Sequence, residues 1–585
     1  MIAVILSWIA IAIVFLSLGD LFIFLYNKYI KQPERYGATD TFLLGMCFTL
    51  IPLSFISLWF PANQYVLFIF LLVSVLYWIL RKNRFLSLLT SAGKILAQYS
   101  LFQKAVFVIP IIGLLGAILW QTGIFDSLFY HQQNILWNEK YAVVPGIGNL
   151  DHRFGFNSNY LLLSSVFSLR FIFEEAVYAL QVLVFLFVFC RIIKEVIDSG
   201  YEMMRIVLLI VTLMFLFTFG YAFTASSTDA IPNVLSLYLL VRLILYPNDI
   251  KAHKLLYIII PITLVTFKLT IVPLCLISLY AIILLWKDKD SRAIIFLVLS
   301  SLLIVGSWLI RNVIISGYLV FPFHELNFFN VDWKIPKYVA EKERAFIWGC
   351  GDEIWIYMMW RLTHIDFTIG GAITWLSNFT LLFFMFVSPL AVLYSYIRKN
   401  VDNRLYYLYL IFVLIIAIWY IGGPDPRFIG GAIFALIYYT IYIVLKPSKQ
   451  KHFKIAGQGI LAAISVLLLA WPAVRAKNHL DTYGLAVPKE GMRPVSDILY
   501  RPYPYKEMMR YVGFYSREYV PYTFDNGLVI YMSKSRQIPY TGGIVCFDDP
   551  FPGSVFRNDN WTKYLDITEI EPRGESLQDG FRPIK

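Results

Sequence analysis

The chain has 585 residues, 59% hydrophobic and only 15% charged, against roughly 25% charged in a soluble globular chain. With a mean hydropathy of +0.66, this excludes a soluble enzyme. The formal net charge of +12 raises nucleic acid as a partner, and the placement of that charge argues against it.

A helix needs about 20 apolar residues to cross ~30 Å of hydrocarbon. Runs of that kind predict fourteen spans, near 2–26, 41–60, 65–80, 105–122, 176–193, 205–223 and 230–246, then 254–267, 270–286, 293–313, 373–397, 405–421, 428–445 and 455–473. Seven alternate connections are basic and hold 24 of the 50 Lys+Arg residues against nine Asp+Glu. The short opposite loops, 61–64, 224–229 and 422–427, carry one basic residue between them, Arg427. The positive-inside rule therefore puts the basic connections in the cytoplasm and both termini outside. The excess charge is topogenic, and no nucleic acid is expected. No basic residue precedes the first apolar run, so it reads as a true span and not a cleaved signal peptide.

Parity settles two ambiguous stretches. Residues 254–286 lie between basic connections and must form a hairpin of two short helices, with Lys268 near its outer tip. Residues 160–193 cross once; Arg170, Glu174 and Glu175 interrupt the first half, so 160–175 is expected along the outer interface as an amphipathic helix. The loops 123–159 and 314–372 and the tail 474–585 remain on the outer side. The tail balances 15 Lys+Arg against 14 Asp+Glu and is long enough for a small α+β domain with a modest core.

The loop 123–159 starts where a span ends. A helix there places Asp126, Tyr130 and Gln133 on one face, with Asp126 available as a general base on an acceptor hydroxyl or as an ordinary helix cap. His131 and His152 can ligand a metal or simply hydrogen-bond; no spaced ligand set accompanies them, so the second reading is preferred. Asp229 sits at the mouth of a span, where a cap is again the simpler role. Lys268, Arg311 and Arg427 stand at outer helix ends. Each alone can snorkel to the interface, but three cations on one leaflet suit a phosphate head group. The five cysteines, Cys47, Cys190, Cys275, Cys350 and Cys546, lack CxxC or Cys/His spacing, which argues against a disulfide scaffold or zinc site. Cys350 and Cys546 are both expected outside, either paired or reduced.

Three elements carry a resemblance. They are the first-loop Asp126, the Trp-x-x-Arg-Asn element leading to Gly-Tyr-x-x-x-Pro (Trp308, Arg311, Asn312, Gly317, Tyr318, Pro322), and the late Pro-x-Pro-Arg-Phe element (Pro424, Pro426, Arg427, Phe428). Together they resemble the membrane-embedded GT-C glycosyltransferases. More narrowly, YHQQ (Tyr130 to Gln133), VPGIGN (Val144 to Asn149), FNSN (Phe156 to Asn159) and DGFR (Asp579 to Arg582) are similar to a group of bacterial multispanning proteins. The resemblance implies an all-α polytopic fold of about 14 spans in a bacterial inner membrane. Residues 1–104 would be additional N-terminal spans, 105–473 a GT-C-like core, and 474–585 an outward C-terminal domain.

It further implies inverting transfer of a sugar from a polyprenyl-phosphate donor to a glycan or glycolipid acceptor. Asp126 would be the base, with His131 beside it. Lys268, Arg311 and Arg427 would hold the phosphate, and Tyr130, Asn149, Asp151, His152, Arg153, Asn157 and Asp229 would contact substrate. Asp126 is followed by Ser127 and not by a second acid, so metal-independent transfer is expected and no cofactor. A polymerase or ligase of lipid-linked oligosaccharide is the alternative. A transporter is less favoured, because no two-fold repetition of motif or span length is present.

Overall fold

The computed structural model describes residues 1–121, 126–364, 369–399, 402–445, 452–483, 494–503 and 519–533, together with 551–554, 558–559, 562–563, 565 and 567–584. The first half contributes α1 (Ile2–Asn27), α2 (Ala38–Ile56), α3 (Gln64–Leu80), α4 (Lys82–Gln98) and α5 (Leu101–Ile118), then the short α6 (Gln132–Lys140), α7 (Ile147–Leu150), α8 (Asn159–Val166) and α9 (Arg170–Phe173). The bundle continues with α10 (Leu180–Asp198), α11 (Met203–Phe223), α12 (Ala230–Leu245), α13 (Asp249–Ala252), α14 (Lys254–Val265), α15 (Cys275–Lys287) and α16 (Ser291–Ser316). It ends with α17 (Lys337–Thr363), α18 (Ile369–Arg398), α19 (Asn403–Gly422), α20 (Gly430–Leu445) and α21 (Lys454–Tyr483).

Among the described residues, nine helical segments are long and apolar enough to cross a membrane, and α3 with α4 forms a further pair bent by 90°. The helices α12, α14 and α20 are apolar but shorter. The protein is thus a multi-pass helical membrane protein.

Inside a bilayer, helices gain little from hiding apolar side chains, so small residues that let backbones close on each other decide the packing. Gly45 of α2 shows this. A Cβ there would stand 1.7 Å from the carbonyl oxygen of Phe15, and one on Gly19 would stand 1.9 Å from that of Thr41, so α1 and α2 touch backbone to backbone. Starts are fixed by side chains: Asn63 caps α3, Ser100 and Gln103 form a capping box on α5, and Asp290 caps α16. Gly317 ends α16 at φ 79°, a left-handed conformation that suits glycine.

One expectation is corrected. Residues 160–175 do not lie along an interface as an amphipathic helix. Instead, α8 is buried on every side, including Leu161, Leu162 and Leu163, and Asn159 fixes its start by bonding the hydroxyl and carbonyl of Thr266. The charges that interrupt the run fall after it, on and beyond the single turn α9. The described part of the tail consists of short strands and 3-10 turns after the last helix, which runs on to Tyr483.

Strands β1 (Tyr519–Thr523) and β2 (Val529–Ser533) pair antiparallel in the register Tyr519↔Ser533, and β3 (Gly553–Ser554) joins β2 in parallel. Two small hairpins follow, β4 (Asn558–Asp559) with β5 (Thr562–Lys563) and β6 (Ile570–Pro572) with β7 (Phe581–Pro583). Phe524, Ile530 and Phe581 share one apolar core with Trp137, Leu150, Phe154, Tyr318 and Ile335. The tail therefore packs on both large loops. The N-terminus meets it too, Met1 N donating to Ile498 O at 2.6 Å.

Candidate functional site

At the loop end of the bundle, α5 stops, α12 starts, the α14–α15 hairpin turns, and α19 hands over to α20. The chain just after α5 is wound as a π turn, Ser127–His131, a geometry often found at functional sites. It replaces the expected α-helical first turn. Asp126 precedes this turn, and its carboxylate makes no cap bond, so the cap reading fails there.

Two turns with the same sequence, Asp-x-Arg-Phe, face this carboxylate. In Asp151-His152-Arg153-Phe154 the Asp151 side chain accepts from the Arg153 N–H at 3.0 Å; in Asp425-Pro426-Arg427-Phe428 the Asp425 side chain accepts from the Arg427 N–H, also at 3.0 Å. Each opens a 3-10 turn, as an Asx cap does. Arg427 Nη2 stands 2.8 Å from Asp126 Oδ2, and Arg153 Nη1 stands 3.6 Å from Oδ1. The two guanidiniums thus approach different oxygens of one carboxylate.

The cluster extends through Arg427, whose Nε lies 2.6 Å from Asp425 and 4.0 Å from Asp229. Asp229 in turn pairs with Lys268 at 2.6 Å. It opens α12 but makes no side-chain cap bond, so its expected role as a cap is corrected to that of a counter-ion. Lys268 also sits 3.8 Å over the Phe428 ring. Asn233 locks the Arg427 turn by donating to Arg427 O at 2.7 Å and accepting from Gly431 N at 2.9 Å.

Burial alone raises the Asp126 carboxyl, yet Arg427 and Arg153 outweigh it and hold the group well below the usual carboxylate range. Burial lowers the Arg427 guanidinium, but Asp126, Asp425 and Asp229 raise it further than burial lowers it. His131 is 1% exposed, and neither ring nitrogen has a hydrogen-bond partner among the described residues. Burial pushes its imidazole down to about 4, against the pull of Asp126 and Asp229, so it is neutral near pH 7.

Beside these charges a pocket is lined by Arg427, Asp229, Asn233 and Tyr221 at its polar side and by Phe215, Phe219 and Phe223 of α11 at its apolar side. Arg475 of α21 donates to Thr224 Oγ1 and Gly220 O near the end of the same helix.

Of the residues singled out in the sequence, Asp126, Tyr130, Arg153, Asp229, Lys268 and Arg427 come together, Tyr130 lying under Arg153 at 5.7 Å, with His131 beside them. His152 Nε2 lies 2.9 Å from Glu343 Oε2, and Arg153 Nε lies 3.8 Å from the other oxygen of the same carboxylate.

Arg311 has a different place. It donates to Ser57 Oγ at 2.6 Å, Asn138 Oδ1 at 2.7 Å and Asn157 Oδ1 at 3.4 Å, which staples α16 to α2, α6 and the loop. Asn157 is occupied by Arg311 and Trp308, and Asn149 donates to the carbonyls of Gly146, Trp333 and Phe581. As placed, both side chains direct their amide N–H groups to backbone carbonyls.

Asp425, Glu343, Asn233 and Arg475 were missed. The repeated Asp-x-Arg-Phe was a visible signal for Asp425; Glu343 lies in a helix of ordinary composition. Among the described residues no group of three or more His, Cys, Asp or Glu side chains is placed to hold a metal. Cys350 is partly buried in α17, and Cys546, its possible partner, lies outside the described residues.

No curated protein and no solved structure matches this chain. Residues 1–434 match the family model described as a domain of unknown function, DUF8201, a segment that includes all the charged residues around Asp126. The chain belongs to the DUF8201 family.

Proposed function

We propose that this protein transfers a sugar from a polyprenyl-phosphate donor to a glycan or glycolipid acceptor at the outer face of a bacterial inner membrane. The reading takes fourteen spans with both termini outside. One observation carries it: Arg427 is shared between the Asp126 carboxylate and a pocket whose other wall is aromatic side chains of a membrane helix. A lipid phosphate has that shape, an anion on an apolar tail, and Arg offers it a bidentate fork while Lys268 offers a point charge.

The ion pairs suggest a sequence of events. Without donor, Arg427 and Lys268 are neutralised by Asp126, Asp425 and Asp229. A phosphate arriving at the cations replaces these carboxylates as counter-ion. Asp126 then loses the nearer of the two guanidinium charges that depress its pKa, keeping Arg153, and becomes a better proton acceptor for the acceptor hydroxyl. Binding of the donor thereby prepares the base.

The test is binding of polyprenyl phosphate to the full chain, followed by native mass spectrometry, in the unaltered protein and in Arg427→Gln. Retention falling at least about tenfold in the variant is expected, from the loss of a charge-assisted bidentate contact. Equal retention would remove the phosphate site and the reading with it.

A further inference from the structure

We infer that α4 lies flat on the membrane surface at the end of the basic connections and binds the anionic head groups of that leaflet. The inference rests on the chain being a membrane protein and not on sugar transfer. Three observations lead to it. First, α4 turns 90° from α3, so it leaves the span sideways at its end. Second, none of its residues is buried. Phe85, Leu88, Leu89, Ile95 and Leu96 recur at the spacing of one helix face, and all are between 38% and 53% exposed. Third, residues 81–104 carry Arg81, Lys82, Arg84, Lys94 and Lys104 and no acid.

The helix is held at both ends and touches little between them. Near its start Arg84 pairs with Asp20 of α1 at 3.2 Å, and just past its end Tyr99 donates to Asp198 of α10 at 3.0 Å. Its apolar stripe is thus fixed in position but left uncovered. Around the helix axis Lys94 stands opposite the stripe, while Lys82 and Arg84 stand toward its two edges, at 100° per residue. That is the arrangement of an interfacial helix, with the stripe in the acyl boundary and the cations at head-group level. A soluble partner or a second copy would not require acids to be absent from the whole segment.

The test places a photoreactive benzoylphenylalanine at Leu89 or at Lys94 in the full chain, reconstituted in phosphatidylcholine vesicles with or without a minority of phosphatidylglycerol. Both positions are on the surface, so folding is undisturbed. Lipid adducts at 89 and not at 94 are expected, in a yield that falls at least about fivefold without phosphatidylglycerol or in Lys82→Glu/Lys94→Glu. Adducts between two copies of the chain at 89, or equal adducts at 89 and 94, would overturn the assignment. Lipid adducts of equal yield in both vesicle types would overturn the selection for anionic head groups.

Discussion

Asp126 and Arg427, from the loop after α5 and the turn between α19 and α20, form an ion pair of 2.8 Å with a second arginine at the other oxygen of the same carboxylate. Asp126→Asn keeps the shape and a hydrogen-bond acceptor but removes the charge. Because the carboxylate does not cap a helix, the variant is expected to lose at least ~100-fold in sugar transfer while still folding. Release of polyprenyl phosphate from a panel of lipid-linked sugars measures it. A folded Asp126→Asn protein with unchanged transfer would remove Asp126 as the base.

Lys268 and Asp229 make a second test, one that needs no substrate. Their ion pair is 2.6 Å long and Asp229 is 7% exposed, so Lys268→Met leaves a buried carboxylate short of its counter-ion. A loss of about 2–4 kcal/mol in unfolding free energy is expected, with much of it recovered in Lys268→Met/Asp229→Asn. Additive losses in the double variant would show that the two side chains are not coupled.

The positions of Lys268 and Arg427 were legible because ionisable groups are rare next to apolar runs, and a rare group at a helix end draws attention whatever it contacts. The pairing was not legible. Asp229 opens a helix, where an aspartate is ordinary, and only the folded hairpin brings Lys268 to it. Arg311 is the opposite case. It looked like the other two cations by position, yet its neighbours are amide and hydroxyl oxygens from three separate segments. Local pattern was equally misleading at 160–166, where the charges that suggested an interfacial helix lie beyond the buried turns they were taken to describe. In the segment 81–104 the basic composition was plain, but its bend away from α3 was not.

His131 gives a pH dependence. Its folded-state pKa of about 4 lies below the ordinary value near 6.5, so between these values the unfolded chain binds a proton that the folded chain does not. Stability must then fall as pH falls from about 6.5 toward 4, by up to roughly 1.4 kcal/mol per pH unit from this group. Thermal unfolding of His131→Asn across the same range is expected to show a shallower slope than the unaltered chain. Parallel slopes would mean that His131 is not buried in its neutral form.

Arg311 separates a structural cation from a phosphate-binding one. Its guanidinium spans Ser57, Asn138 and Asn157, acceptors on three segments that a single ammonium cannot reach together. Arg311→Lys should therefore cost about 1–3 kcal/mol of stability, because buried acceptors lose their donors. Arg311→Met should cost more, since it offers no donor at all. Both variants, once folded, are expected to bind polyprenyl phosphate as the unaltered protein does, in contrast to Arg427→Gln. If Arg311→Lys kept full stability but lost lipid phosphate, Arg311 would belong with Lys268 and Arg427 after all, and the staple between α16 and the loops would be incidental to its role.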